Sequence, residues 1–155
     1  VLYSFQMRNL LKGIGQQMKW SVRDESLHSK MGCQLFRHMC SQIPGLKKEC
    51  EEHVYDAALT MHNAEMTYIS KLFEMGDIEG ITEYDLKHFI KKRTGDKLKE
   101  LGYESEGKFE YDQKSIDKMA WFDHLTGGHT HTDFFAIRPT DYSKANEGED
   151  FEDVW

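Results

Sequence analysis

A long helical pattern, from about Gly15 to Gln42, contains the feature that most constrains this chain: a glutamate and a histidine three residues apart. At about 100° per residue, the side chains of Glu25 and His28 fall on the same helix face, roughly one turn apart. The apolar residues around them on that face are Met18, Val22, Gly32, Leu35, Phe36 and Met39. The pattern predicts that both side chains face a core, where a bare carboxylate is costly without a counter-charge such as a metal ion.

This Glu-x-x-His spacing is the building block of di-iron and di-manganese sites in ferritin-like helical bundles. Such a site uses the pair twice and adds a glutamate from each of two further helices, about six ligands in all. The chain contains the pair once in this order, as Glu25 and His28. The sequence therefore predicts part of a metal site, and the alternative is a metal-free core glutamate paired with a core histidine.

Three further helices are predicted, and no segment has a convincing strand pattern. They span about 46 to 74, 82 to 101 and 113 to 125, with Thr82 as a capping start and Gly102 as a stop for the middle one. The inner stripe predicted for the helix from 46 to 74 is Val54, Ala57, Ala58, Met61, Ala64, Tyr68 and Leu72. The expected fold is all-α, with a helical part over residues 1–128.

Composition limits the partners of the chain. With 155 residues there is room for one ordinary domain, but 39% apolar content and a mean hydropathy of -0.70 are polar for a chain that buries its core alone. The net charge of -7 argues against nucleic acid or an anionic membrane as partner, and no apolar run is long enough to span a membrane. Cys33, Cys40 and Cys50 are expected to be free thiols, which suggests a cytoplasmic protein.

Residues 129–155 have no helical period and are expected to form a flexible acidic tail. No basic residue follows Lys144. The acidic residues after it are Glu147, Glu149, Asp150, Glu152 and Asp153. Two aromatic residues, Phe151 and Trp155, lie among and after them.

Several segments together resemble one family. Residues 19–28, Lys-Trp-Ser-Val-Arg-Asp-Glu-Ser-Leu-His, resemble the segment of the class I ribonucleotide reductase small (beta, R2) subunit that carries its second Glu-x-x-His. Residues 12–16, before the motif, fit the same helix in that family. Residues 131–135, which end in Phe-Phe, and 140–145, Thr-Asp-Tyr-Ser-Lys-Ala, resemble the family's late aromatic segment and the tyrosine of its tail.

The resemblance implies roles for three residues of the long helix. Glu25 and His28 are similar to ligands of one metal in a dinuclear centre, which is Fe/Fe, Mn/Fe or Mn/Mn. Asp24 matches an aspartate that orients a ligand histidine and lies on the radical-transfer route, and a carboxylate bonded to a metal-bound imidazole is the usual arrangement.

The resemblance also implies roles in the tail. Tyr142 matches the tyrosine that relays the radical to the large (alpha) subunit, and Phe151 to Trp155 fit the segment that docks on that subunit. The family often has an acidic residue after the Phe-Phe pair, where this chain has Ala136. Asp133 or Asp141 is the candidate substitute.

Taken as a whole, the resemblance implies the C-terminal half of a ribonucleoside-diphosphate reductase small subunit with a ferritin-like bundle. The remaining ligands, one of them about ten residues before Val1, and the radical-bearing tyrosine would lie upstream. The implied partners are an N-terminal half, separated by a split gene or missing from an incomplete polypeptide, the large subunit, and a second assembled small subunit in a homodimer.

Other interpretations stay open. His62 and Glu65 form a reversed His-x-x-Glu that could be taken for the missing ligand pair, although the resemblance does not use it. The alternate histidines of residues 128–131, Gly-His-Thr-His, could bind a metal in a loop. A non-catalytic helical interaction protein, with a buried Glu-His pair and a partner-binding tail, is the alternative function.

Overall fold

The computed structural model describes residues 2–8, 10–76, 78–105 and 107–126. The helices in these ranges are α1 (Leu2–Met7), α2 (Lys12–Gln42), α3 (Leu46–Phe73), α4 (Glu83–Leu101), α5 (Gln113–Lys118) and α6 (Ala120–Thr126). Outside the helices, the described chain contains one isolated β-bridge, between Ile78 and Ile81, and no strand. The prediction of an all-α fold is therefore confirmed. None of the described helices could cross a lipid bilayer.

The ends of the three long helices follow from local chemistry. The chain turns between α2 and α3 at Gly45, whose φ of 87° lies in the left-handed region that glycine adopts without strain. Thr82 caps α4 by accepting a 3.1 Å hydrogen bond from the backbone N–H of Asp85, and Gly102 ends that helix at φ 94°. These boundaries agree with the predicted ones, except that α2 begins at Lys12, before the predicted start.

The helix predicted over residues 113 to 125 is wrong in one respect, because the structure divides it into α5 and α6. The division falls at Met119, whose backbone, at φ -91° and ψ 2°, leaves the helical region. Met119 is buried there in a cluster with Ile81, Phe89 and Ile116. The change of direction therefore lets both short helices contribute apolar side chains to one core.

A second buried cluster lies at the other end of α4 and joins the α2–α3 hairpin to the loop after α4. It consists of Leu98, Tyr103 and Phe109, with Phe36 of α2 and Tyr55 of α3 packed against it. The Tyr103 hydroxyl donates a 2.7 Å hydrogen bond to the backbone carbonyl of Lys47. Helix α4 thus contributes to both clusters, and it packs against α3, α5 and α2.

A buried carboxylate links α4 to α5. Asp85 is 4% exposed and accepts hydrogen bonds from the hydroxyls of Ser115 at 2.8 Å and Thr82 at 2.7 Å. The ammonium group of Lys118 lies 3.2 Å from both carboxylate oxygens. Burial alone would raise the pKa of Asp85, but the three hydrogen-bond donors outweigh it, so its pKa is lowered and the carboxylate stays charged.

Candidate metal centre

Glu25 and His28 lie together on α2, as their spacing predicts. The Nδ1 atom of His28 is 3.6 Å from the Oε2 atom of Glu25. A carboxylate oxygen and an imidazole nitrogen are therefore presented side by side on one helical turn. Bonds from such donors to a transition metal such as zinc are about 2.0 to 2.2 Å long, so a separation of 3.6 Å can be spanned by one ion.

The expectation that both side chains face the core of this chain is wrong. The side chain of His28 is 68% exposed and that of Glu25 is 75% exposed. Of the apolar residues predicted on the same face, Met18, Val22 and Phe36 are half-buried, whereas Leu35 and Met39 are exposed. The apolar residues around Glu25 and His28 consequently divide into a packed set and an uncovered set.

The uncovered side of α2 is unusually apolar for a surface that water reaches. Its exposed large apolar residues include Trp20, Leu27, Met31, Leu35 and Met39. Leu35, which was predicted to lie in the core, is 60% exposed. Exposed apolar patches of this kind mark surfaces that bind another protein, a membrane or a ligand. Glu25 and His28 are thus polar donors at an apolar face that the described helices do not cover.

Asp24 is exposed on the same helix, four residues and about one turn before His28. Within the described ranges, no group of three or more His, Cys, Asp and Glu side chains comes close enough to hold a metal ion. The described part of the chain therefore brings together the Glu25–His28 pair that the sequence predicts and no larger donor set. Tyr142, Phe151, Trp155, Asp133 and Asp141 lie outside the described residues.

The second histidine motif has a different environment. His62 of α3 is buried, and its ring meets the Phe109 ring edge-on at a centroid distance of 5.1 Å. Burial lowers the pKa of His62, and the positive charge of Lys91 lowers it further, so the imidazole is neutral. Glu65 is exposed. The alternate histidines of residues 128–131 lie outside the described ranges.

The stripe predicted for the inner side of α3 is partly wrong. Met61 is 66% exposed and Tyr68 is 63% exposed, whereas His62 and Ile69 are the buried residues of this helix. The burial of His62 was missed because a histidine in an apolar pattern is ordinarily assigned to the polar side. His62 and Ile69 directly follow Met61 and Tyr68 of the predicted stripe, so a stripe shifted by one residue would have placed both of them inward.

Comparison with known proteins gives a consistent result. Residues 1–111 match the family described as ribonucleotide reductase, small chain. A probable ribonucleoside-diphosphate reductase small subunit of Invertebrate iridescent virus 3 is 28% identical, over 94% of this chain and 38% of its own length. The corresponding probable small subunit of Invertebrate iridescent virus 6 is 25% identical, over 100% of this chain and 49% of its own.

A third relative is the ribonucleoside-diphosphate reductase subunit beta of Enterobacteria phage T4, which is 28% identical over 60% of this chain and 25% of its own length. This chain thus spans less than half the length of each of these relatives. No solved structure matches it. Because the family match covers most of the sequence and the described architecture is all-helical, the chain belongs to the ribonucleotide reductase small-chain family and has its all-α, ferritin-like fold.

Proposed function

We propose that this chain is the C-terminal portion of a class I ribonucleoside-diphosphate reductase small subunit and that Glu25 and His28 are two ligands of its dinuclear metal centre. In the assembled enzyme, the subunit would supply the oxidant with which ribonucleotides are reduced to deoxyribonucleotides. Small chains of this family are generally dinuclear metal proteins, which supports the assignment. The three viral and phage relatives, whose names describe ribonucleoside-diphosphate reductase subunits, support the substrate class.

The observation that carries the proposal is the position of Glu25 and His28 on the apolar, uncovered side of α2. When another segment covers Leu27, Met31 and Leu35, it also removes water from the carboxylate and the imidazole. A buried carboxylate is costly unless a positive charge accompanies it. A metal ion bound between Glu25 and His28 would supply that charge, whereas a metal-free pair would need another cation.

The donor types suit the expected metals. Carboxylate oxygen favours manganese and iron, and imidazole nitrogen favours iron, so a mixed donor set fits Fe/Fe, Mn/Fe or Mn/Mn. When bound, the centre would supply the reaction with dioxygen that generates the oxidant. In this chain, Glu25 and His28 would hold one metal ion, and Asp24, one turn from His28, would orient a ligand imidazole by accepting its second N–H.

Residues outside the described ranges complete the proposal. Tyr142 would relay the radical between the metal centre and the large subunit. Phe151 and Trp155 would anchor the small subunit on the large one, because aromatic side chains in a groove are typical anchors and acidic neighbours steer association. The assembled small subunits would form a homodimer.

The covering segment would be the N-terminal portion of the small subunit, which would bring the remaining ligands. Apolar helices covering Leu27, Met31 and Leu35 would stabilise the complex by roughly 25 cal/mol per Å² of apolar surface removed from water. The alternative, a metal-free helical interaction protein, would use the same apolar surface without a metal. Its premise of a Glu-His pair buried within this chain does not agree with the exposure of Glu25 and His28.

Co-expression of this chain with a polypeptide that supplies the preceding helices of the family would test the proposal. The expected result is a stable complex with about two metal ions per assembled subunit, and a clear loss of metal in His28→Ala. His38→Ala is a matched control, because His38 is exposed on the same helix about 15 Å along its axis from His28. A stable complex that contains no metal, or equal metal content in the two variants, would rule the assignment out.

A further inference from the structure

A groove lies between α3 and α4, on a different surface from Glu25 and His28. Its floor is apolar, with Val54 and Met61 from α3 and Ile90 and Leu98 from α4. Met61 is 66% exposed, so the groove is open to an occupant. Open apolar grooves between two helices are the surfaces on which amphipathic or aromatic segments dock.

The rim of this groove on the α4 side is basic. Arg93 and Lys97 line it, and Glu65 lines the α3 side. Arg93 lies 3.5 Å from Asp123, and Lys97 lies 2.6 Å from Glu100, but all four side chains are at least 40% exposed. Exposed ion pairs contribute little because water solvates both partners, so these cations can accept a new carboxylate at small cost.

The lining of the groove includes a buried histidine of α3. The Nδ1 atom of His62 is buried and has no hydrogen-bond partner among the described residues, although His62 lines the groove. His62 itself is more than nine-tenths buried. Buried polar atoms without a partner are rare in native proteins, because each one costs the desolvation of that atom. The buried His62 ring therefore adds to the apolar lining of the groove.

The chain carries a segment with complementary chemistry. Residues 147–155 contain five carboxylates, no basic side chain, and the aromatic residues Phe151 and Trp155. We propose that residues 147–155 dock in the groove between α3 and α4 of the same chain. Phe151 and Trp155 cover the apolar floor, and the carboxylates meet the basic rim at Arg93 and Lys97.

The position of α6 makes this contact reachable. The 3.5 Å contact between Asp123 of α6 and Arg93 places α6 at the edge of the groove. Phe151 follows Thr126, the last residue of α6, by 25 residues, which can span up to about 80 Å. The groove from Val54 to Glu65 is only about 17 Å long, so the linker reaches every part of it. The connection also keeps the effective concentration of the segment high.

The docked segment would compete with any other protein that binds Phe151 and Trp155. While Phe151 and Trp155 lie in the groove, they are unavailable to any other protein. The contact goes beyond the proposed reductase function, because it needs neither a metal ion nor a large subunit. Its failure would consequently leave the metal assignment untouched.

Photo-crosslinking of the full chain tests the proposal. With p-benzoylphenylalanine in place of Phe151, irradiation should give crosslinks within one chain to groove residues, with Met61 foremost. The double variant Arg93→Glu and Lys97→Glu should reduce the yield at least threefold. Lys99→Glu, which reverses one charge on another face of α4 and so changes the net charge half as much, should leave the yield unchanged.

Mixing ¹⁵N-labelled and unlabelled chains separates contacts within a chain from contacts between copies. If the double variant does not fold, raising NaCl from 50 to 500 mM with the wild-type chain should reduce the crosslink yield by a comparable factor. Crosslinks that join two copies, crosslinks on the exposed side of α2, or no crosslink at all would each overturn the proposal. A yield that neither salt nor the charge reversals reduce would overturn the role of Arg93 and Lys97.

Discussion

Replacement of the buried carboxylate between α4 and α5 tests how this fold is held together. In Asp85→Asn the shape is kept and the charge is lost, so the hydroxyls of Ser115 and Thr82 no longer meet a carboxylate. Hydrogen bonds to charged groups contribute about 1.5 to 3 kcal/mol each, and an asparagine oxygen still accepts one of them. The side chain of Lys118 is 64% exposed, so loss of its ion pair adds less than about 1 kcal/mol. We expect a loss of about 2 to 4 kcal/mol at pH 7.

Urea unfolding would measure this loss. With a slope of about 2 kcal/mol per M for a chain of this size, the midpoint should fall by about 1 to 2 M without a change in slope. Asp96→Asn is the matched control, because Asp96 lies on the same helix in a partly exposed pair with Lys92, one turn away, and its loss should cost less than about 1 kcal/mol.

The dependence on pH provides a second criterion. The pKa of Asp85 is lower in the folded chain than in the unfolded chain, where it is about 3.9. The stability that the Asp85 carboxylate contributes is therefore fully present above the unfolded pKa, and it is lost as the pH falls through the lower folded pKa. The difference in unfolding free energy between the wild-type chain and Asp85→Asn should therefore shrink below about pH 4. Equal stability at pH 7, or a difference that grows in acid, would refute the reasoning.

Three further predictions concern the second cluster and α3. Leu98→Ala should cost about 2 to 5 kcal/mol in urea unfolding, because Leu98 is 1% exposed in that cluster. Gly95→Ala should stabilise the folded chain by about 0.5 to 1 kcal/mol, since alanine favours helix and the new Cβ would meet Ser105 Oγ at an ordinary 3.4 Å. A raised melting temperature would agree with this prediction, and a lowered one would contradict it. His62 has a lowered folded pKa, so the wild-type chain should lose stability as the pH falls through the unfolded value of about 6.5. Unfolding titrations in His62→Gln should lack that part of the loss, and an unchanged profile would show that His62 is not its source.

Much of the fold follows from local signals in the sequence. Thr82 and Gly102 predict the ends of α4 because capping depends on residues within one turn of the helix end. The break at Met119 has no comparable local signal, since it arises from packing against Ile81 and Phe89. The partners of Asp85 at Ser115 and Lys118 lie 30 and 33 residues away, so their contact depends on tertiary structure.

In the candidate site, too, the local arrangement was predictable from the sequence and the tertiary environment was not. The spacing of Glu25 and His28 correctly predicted that they lie together, because helix geometry fixes neighbours one turn apart. Their exposure was not predictable, because a periodic pattern shows which face is apolar and not what covers it. Leu35 and Met61 show this most plainly, since both lie on apolar stripes and both are exposed in the described chain.

The most direct test of the central claim is the location of the metal in the assembled subunit. Crystals of this chain complexed with the preceding helices, loaded with Fe(II) or Mn(II), would give anomalous difference peaks at the metal positions. The account predicts a peak within about 2.5 Å of both His28 Nδ1 and a Glu25 carboxylate oxygen. Metal peaks elsewhere, with Glu25 and His28 covered by protein and free of metal, would contradict it.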